Sequence, residues 1–133
     1  MDIHLKITGG LLILLALMHV VLPAYFHWKQ ELSTLSLINK QMMEVHTFFI
    51  AFTAFLMGIL CLTLTTDLIH SSLGNFICLG LFAFWFVRLL FQFFVYSPKL
   101  WRNKKFETFI HILFIMLWSY FSAVFFLVYY YSI

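Results

Sequence analysis

Three histidines, His19, His46 and His111, each lie near one end of a different apolar segment of the chain. Imidazole nitrogens ligate transition metals and haem iron. Three imidazoles from three helices could hold a metal ion, or two could ligate haem b. His46 and His111 are the predicted axial pair, with His19 as a third ligand or hydrogen-bond donor. Haem needs apolar walls, which Trp85 and Trp118 would supply, but no spacing motif supports haem over a metal.

Two further polar residues, Arg88 and Gln92, lie one helical turn apart in the third apolar segment. A charged side chain inside a membrane costs about 2.5–3.5 kcal/mol on insertion scales, so it usually faces a partner or the bundle interior. Arg88 is predicted to neutralise an anionic group, and Gln92 to orient that group. The group could be a haem propionate, an anionic lipid, a quinone head group or a transported anion. Glu44 and Glu107 are the predicted partners of Arg88 or of a histidine.

Several reaction classes have no sequence motif here. The chain contains no HExxH, no glycine-rich phosphate loop, no GxSxG and no CxxC. It has only five acidic residues, too few to suit a di-iron carboxylate site with its four carboxylates and paired histidines. Whether the protein is an enzyme is left open, and binding is the more economical expectation.

The composition is that of a membrane protein. Apolar residues make up 64% of the 133 residues and charged residues 10%, whereas soluble domains have roughly 45–50% and 25%. Such a chain has too few charges to cover a solvated surface. Four segments are each long enough to cross a hydrocarbon core of about 30 Å as a helix: residues 7–26, 45–65, 73–96 and 109–131. The predicted fold is all-α, a single four-helix transmembrane bundle spanning residues 1–133.

The connections predict an orientation. Four of the eight basic residues lie between Lys99 and Lys105, and the second connection, residues 66–72, has no Lys or Arg. The positive-inside rule therefore predicts that loops 27–44 and 97–106 are cytoplasmic and both termini lie outside the cell membrane. A basic cluster can also bind nucleic acid, but no groove-reading element accompanies this one. Loop 27–44 is predicted to contain a short amphipathic surface helix, built on Leu32, Leu35, Ile38 and Met42.

The spacing within the segments predicts which faces pack. Trp85, Arg88, Gln92 and Tyr96 form one stripe, and the second segment has a stripe of small residues typical of close helix packing, from Thr47 to Cys61. The sequence thus predicts a membrane binding protein with a polar pocket in the cytoplasmic half of the bundle, its partner being the lipid bilayer. The alternatives are an accessory subunit of a larger membrane complex or a small transporter acting as a homo-oligomer.

Overall fold

The structure, a computed structural model, describes residues 1–132 and is 89% helical, with no strand in that range. Four helices are long and apolar enough to cross a membrane, and two short helices connect them. In chain order they are α1 (Asp2–Tyr25), α2 (Trp28–Glu31), α3 (Leu37–Thr63), α4 (Thr65–His70), α5 (Ser72–Phe94) and α6 (Lys105–Ser132). The predicted all-α class with four transmembrane helices is confirmed, and the chain is a multi-pass membrane protein.

The first connection differs from the prediction. The amphipathic segment is not a separate surface helix, because α3 already begins at Leu37 and includes Ile38 and Met42. Only Trp28–Glu31 and a 3-10 turn over Leu32–Thr34 precede it. The three- and four-residue spacing of this segment continues in register into the apolar part of α3, so one helix satisfies both. Hydropathy detects only the apolar part of a helix, so it does not show the more polar turns with which α3 begins.

The second connection is also shorter than predicted. The sequence predicts a loop over residues 66–72, but α4 occupies most of them. Ser71 caps the next helix, because its side-chain oxygen accepts a hydrogen bond from the Gly74 amide at 2.8 Å. The backbone of Gly74 approaches Asp67 and Leu68 so closely that an added Cβ would overlap the Asp67 carbonyl oxygen. Glycine at this position permits the tight α4–α5 turn.

Internal contacts divide the chain into two compact units, each described by itself. The first unit is Leu5–Thr65, in which α1 packs on α3 through two glycines. A Cβ added at Gly58 would lie 2.8 Å from the carbonyl oxygen of Gly9 and 2.7 Å from Cγ1 of Ile13. The stripe of small residues predicted on α3 is therefore a close-packing face.

The second unit contains Met1–His4 and the chain from Thr66 onward. Its core is an antiparallel pair, α5 and α6, joined by residues 95–104. Trp85 of α5 stacks on Trp118 of α6 with ring centroids 5.1 Å apart, and Phe121 meets Trp85 edge-on at 5.0 Å. His4 joins this unit through its Nδ1, which lies 3.0 Å from the hydroxyl of Tyr120. The aromatic layer holds α5 and α6 in fixed register beside the polar residues of α5.

Candidate binding site on the α5–α6 hairpin

Gln92 is the centre of a polar cluster between α5 and α6. Its side chain is buried, with 6% of its surface exposed. The Oε1 atom accepts from Trp118 Nε1 at 3.3 Å and from the Arg88 guanidinium at 3.4 Å. The Nε2 atom lies 2.9 Å from Nδ1 of His111. One amide thus joins three side chains from two helices. Both of its polar atoms have hydrogen-bond partners, as is usual for buried polar groups.

The hydrogen bonds of Gln92 determine the state of His111. Arg88 and Trp118 can only donate, so the amide oxygen must face them and the amide nitrogen must face His111. Nδ1 of His111 therefore accepts a hydrogen bond, and the neutral ring carries its proton on Nε2. Trp101 stacks on the same ring at a centroid distance of 3.7 Å and an angle of 11°. An axial haem ligand needs a free nitrogen lone pair, so this arrangement opposes that role for His111.

Arg88 has uncharged partners within its unit. Its guanidinium donates weakly to Gln92 Oε1 and to the Tyr96 hydroxyl, both at 3.4 Å. Its Cζ atom lies 5.0 Å from the centroid of the Trp118 ring and 5.5 Å from that of Tyr96. These contacts use only two of the five N–H donors of a guanidinium. Within residues 66–132, the positive charge is held by aromatic faces and amide dipoles.

Trp85, one turn before Arg88 on α5, has a second donor that is not used. It is 4% exposed, and its Nε1 has no hydrogen-bond partner among the described residues. An unpaired buried donor costs roughly 1–3 kcal/mol. The indole N–H and the remaining guanidinium donors give this end of the hairpin an excess of hydrogen-bond donors. Such a site is chemically suited to an acceptor or an anion.

The two stacked tryptophans are expected to respond differently to the same substitution. Trp85→Phe keeps an aromatic ring and removes an unpaired donor, so the free energy of unfolding should stay the same or rise by about 1 kcal/mol. Trp118→Phe removes the hydrogen bond to Gln92 and weakens the cation–π contact with Arg88, so it should lower that free energy by about 1–2 kcal/mol. Unfolding in mild detergent measures both. Equal effects of the two substitutions would contradict this hydrogen-bonding scheme.

The other predicted site residues, His19, Glu44, His46 and Glu107, take no part in the hydrogen bonds of this cluster. His19 and Glu44 line one cleft within the Leu5–Thr65 unit. His46 is exposed on α3, and Glu107 is exposed in the first turn of α6. Glu107 has no ion pair or hydrogen bond with Arg88 in their unit, where the partners of Arg88 are Gln92 and Tyr96. Pairing of Glu44 with Arg88, or of either carboxylate with a histidine, stays a prediction.

Metal binding has no support in the structure. Within residues 1–132, no three His, Cys, Asp or Glu side chains lie close enough together to hold a metal ion. The proposed ligand set of His19, His46 and His111 thus stays a prediction from residue type. Haem binding is likewise supported only by the types of residue present and stays a prediction.

Trp101 is the site residue that sequence reasoning missed. In the sequence it is one aromatic residue of the basic loop, a type that commonly lies at a membrane interface. In the structure Asn103 has the left-handed φ of 61°, and the turn it makes brings Trp101 back onto α6. The Thr108 hydroxyl donates to the Trp101 carbonyl at 2.6 Å and fixes that turn. Helical periodicity cannot reveal such a contact, although Asn is one of the few residues other than Gly that adopt the left-handed region.

The fold and the site define a membrane protein with four membrane-length helices and a donor-rich polar cluster in its last helical pair. No protein-family model, curated protein or solved structure matches the chain. Any function must therefore be argued from the cluster itself.

Proposed function

We propose that the protein binds the anionic head group of a membrane lipid through Arg88 on the α5–α6 hairpin. The observation that carries this proposal is the excess of donors around Gln92, where a guanidinium has no carboxylate partner in its own unit. Phosphate and carboxylate oxygens match the planar fork of a guanidinium. An anionic group would use its remaining N–H donors and balance its charge.

The position of Arg88 supports a lipid ligand. Arg88 lies six residues before Phe94, the last residue of α5, so it is about 9 Å from that end of the helix at 1.5 Å per residue. An arginine at that depth can extend toward the head-group region of a bilayer. The connecting loop adds further positive charge next to α5 and α6, because Lys99, Arg102 and Lys104 are exposed. Basic residues beside a membrane helix attract anionic lipids. The positive-inside rule, applied to the same basic residues, supports the proposal that this loop is cytoplasmic.

Arg88→Gln tests the proposal. It keeps a polar side chain of moderate size but removes the charge and the guanidinium fork. In nanodiscs of mixed phosphatidylglycerol and phosphatidylcholine, we expect the substituted protein to retain the anionic lipid about tenfold less well, because charge-assisted hydrogen bonds are the strong ones. Native mass spectrometry measures the lipids that remain bound after release from the disc.

Arg102→Gln is the matched control. It removes the same charge from an exposed loop position near the same end of the hairpin. A general electrostatic attraction predicts equal losses for the two substitutions, and that result would reject a specific site at Arg88. Inorganic phosphate added to phosphatidylcholine discs separates a lipid from a soluble anion, since only the soluble-anion case predicts Arg88-dependent stabilisation by phosphate alone.

The alternatives make different predictions for the same purified protein. Bis-histidine haem b predicts a Soret band and sharp reduced α and β bands that disappear in His111→Ala. A transporter predicts anion flux in liposomes that depends on Arg88, and four helices would require an oligomer to enclose a path. An accessory subunit predicts co-purification with a partner and no effect of Arg88→Gln on bound lipid.

A further inference from the structure

A groove lies between α5 and α6, on the same hairpin as Arg88, and has a volume of about 280 Å³. Three apolar side chains of α5, those of Phe82, Phe86 and Leu89, line one side of it, and Phe126 of α6 lines the other. The Phe82 ring centroid is 5.2 Å from that of Phe126 and 5.5 Å from that of Phe86. Phe86 and Phe126 are each 41% exposed, so the groove opens on the surface of the molecule.

The rest of the α6 side of the groove consists of small residues. Ser119, Ser122 and Ala123 line it, and their short side chains leave space beside the phenylalanine rings. Ser122 is buried, and its hydroxyl donates to the Trp118 carbonyl of its own helix at 2.8 Å. The surface exposed in the groove is almost wholly apolar. Such a surface suits a hydrocarbon ligand and would not compensate a charged group for its lost water.

The groove begins beside Arg88 and continues along α5 toward the middle of that helix. Leu89 is the residue next to Arg88, whereas Phe86 and Phe82 lie progressively further from the basic loop between α5 and α6. From Leu89 to Phe82 the lining spans about 10 Å at 1.5 Å per residue. A phospholipid has the same order along the membrane normal, with its head group at the surface and its chains extending into the hydrocarbon core.

We infer that the lipid whose head group binds Arg88 places one acyl chain in this groove. The ligand is then a phospholipid that the protein recognises by its chain as well as by its charge, and the inference rests on the function proposed above. Successive residues of an α-helix are about 100° apart, so the head group and the chain contact adjacent faces of α5, with the glycerol backbone between them. The length and volume of the groove fit a segment of one chain.

Phosphatidylglycerol with a photoreactive diazirine on one acyl chain tests the inference in the wild-type protein. The matched probe is phosphatidylcholine with the same chain, because it labels any surface that faces lipid. Ala83 is the internal reference, since it is exposed on α5 and does not line the groove. Relative to Ala83, we expect phosphatidylglycerol to label Phe86 and Phe126 about fivefold more than phosphatidylcholine does, because only the anionic lipid is held at Arg88. Mass spectrometry of the labelled peptides measures the ratio.

Ala123→Leu tests the groove by filling it, and Ala83→Leu is the matched control. Both alanines are exposed, but only Ala123 lines the groove. A chain that leaves the groove enters an equally apolar bilayer, so only packing contacts are lost. We therefore expect Ala123→Leu to lower retention of phosphatidylglycerol about threefold, less than Arg88→Gln does, and Ala83→Leu to leave retention unchanged.

The labelling experiment separates this inference from the head-group proposal. Equal labelling of the groove by both probes, with retention that still depends on Arg88, would overturn the inference and leave the head-group site standing. Labelling of Ala83 without labelling of the groove by either probe would also overturn it, because another protein helix, such as one from a second copy, would then cover the groove. Retention that does not depend on Arg88 would reject the proposed function and this inference with it. Comparison of the two probes needs no substitution, so it holds even where Ala123→Leu fails to fold.

Discussion

Gln92→Leu is expected to lower the free energy of unfolding by about 3 kcal/mol, since a buried polar group left without a partner costs roughly 1–3 kcal/mol and this substitution orphans several. The leucine side chain fills nearly the same space but accepts and donates nothing. Trp118 Nε1, His111 Nδ1 and the Arg88 guanidinium all lose a partner. Unfolding of the purified protein in mixed detergent micelles measures the change.

The same substitution should also reduce retention of anionic lipid, because Gln92 holds the guanidinium of Arg88 toward α6. Gln41→Leu is the control for the loss of a glutamine amide, since Gln41 is exposed on α3. It should alter neither stability nor lipid retention. A Gln92→Leu protein as stable as wild type would show that the cluster is hydrated and not a buried network.

Gly58→Ala is expected to destabilise the Leu5–Thr65 unit by about 1–3 kcal/mol, the usual cost of overpacking. The added methyl group would lie 2.8 Å from a backbone oxygen of α1, and backbone cannot rotate aside as a side chain can. Where the new methyl group meets no neighbouring atom, a Gly→Ala substitution inside a helix stabilises it by about 0.5–1 kcal/mol. A lower free energy of unfolding in Gly58→Ala therefore indicates the close contact, and a higher one indicates that the contact is absent.

Gly10→Ala is the matched control for this contact. A Cβ at Gly10 meets no heavy atom within 4 Å, so this substitution should leave the protein equally or more stable. The two variants differ in steric surroundings and not in chemistry. Similar thermal midpoints for both would mean that α1 and α3 do not cross at Gly9 and Gly58.

Helical periodicity was enough to predict much of the site. Three- and four-residue spacing predicts that Trp85, Arg88, Gln92 and Tyr96 share one face of the third segment. His111 and Trp118, two helical turns apart in the fourth segment, likewise share one face. The cost of an unpaired charge in a membrane required Arg88 to have partners. The α5–α6 cluster contains all six of these residues.

The nature of the partners was not predictable in the same way. Sequence reasoning sought a carboxylate for Arg88 because opposite charges attract most strongly. In the structure a guanidinium between Trp118 and Tyr96 has aromatic and amide partners instead. Which of these occurs depends on the lateral register of two helices, and spacing along one helix carries no information about that register. Exposure of His46 depends on the same kind of packing detail.

The most direct test of the central proposal is a solid-state NMR measurement of the distance between lipid phosphorus and arginine guanidinium nitrogens. The chain has only two arginines, Arg88 and Arg102, so Arg102→Gln protein labelled with ¹⁵N-arginine reports on Arg88 alone. In bilayers containing phosphatidylglycerol, strong dephasing of the Arg88 signal by ³¹P is the expected result. No dephasing in Arg102→Gln protein, with clear dephasing of Arg102 in the wild-type protein, would contradict the account. It would mean that only the exposed loop meets lipid phosphate.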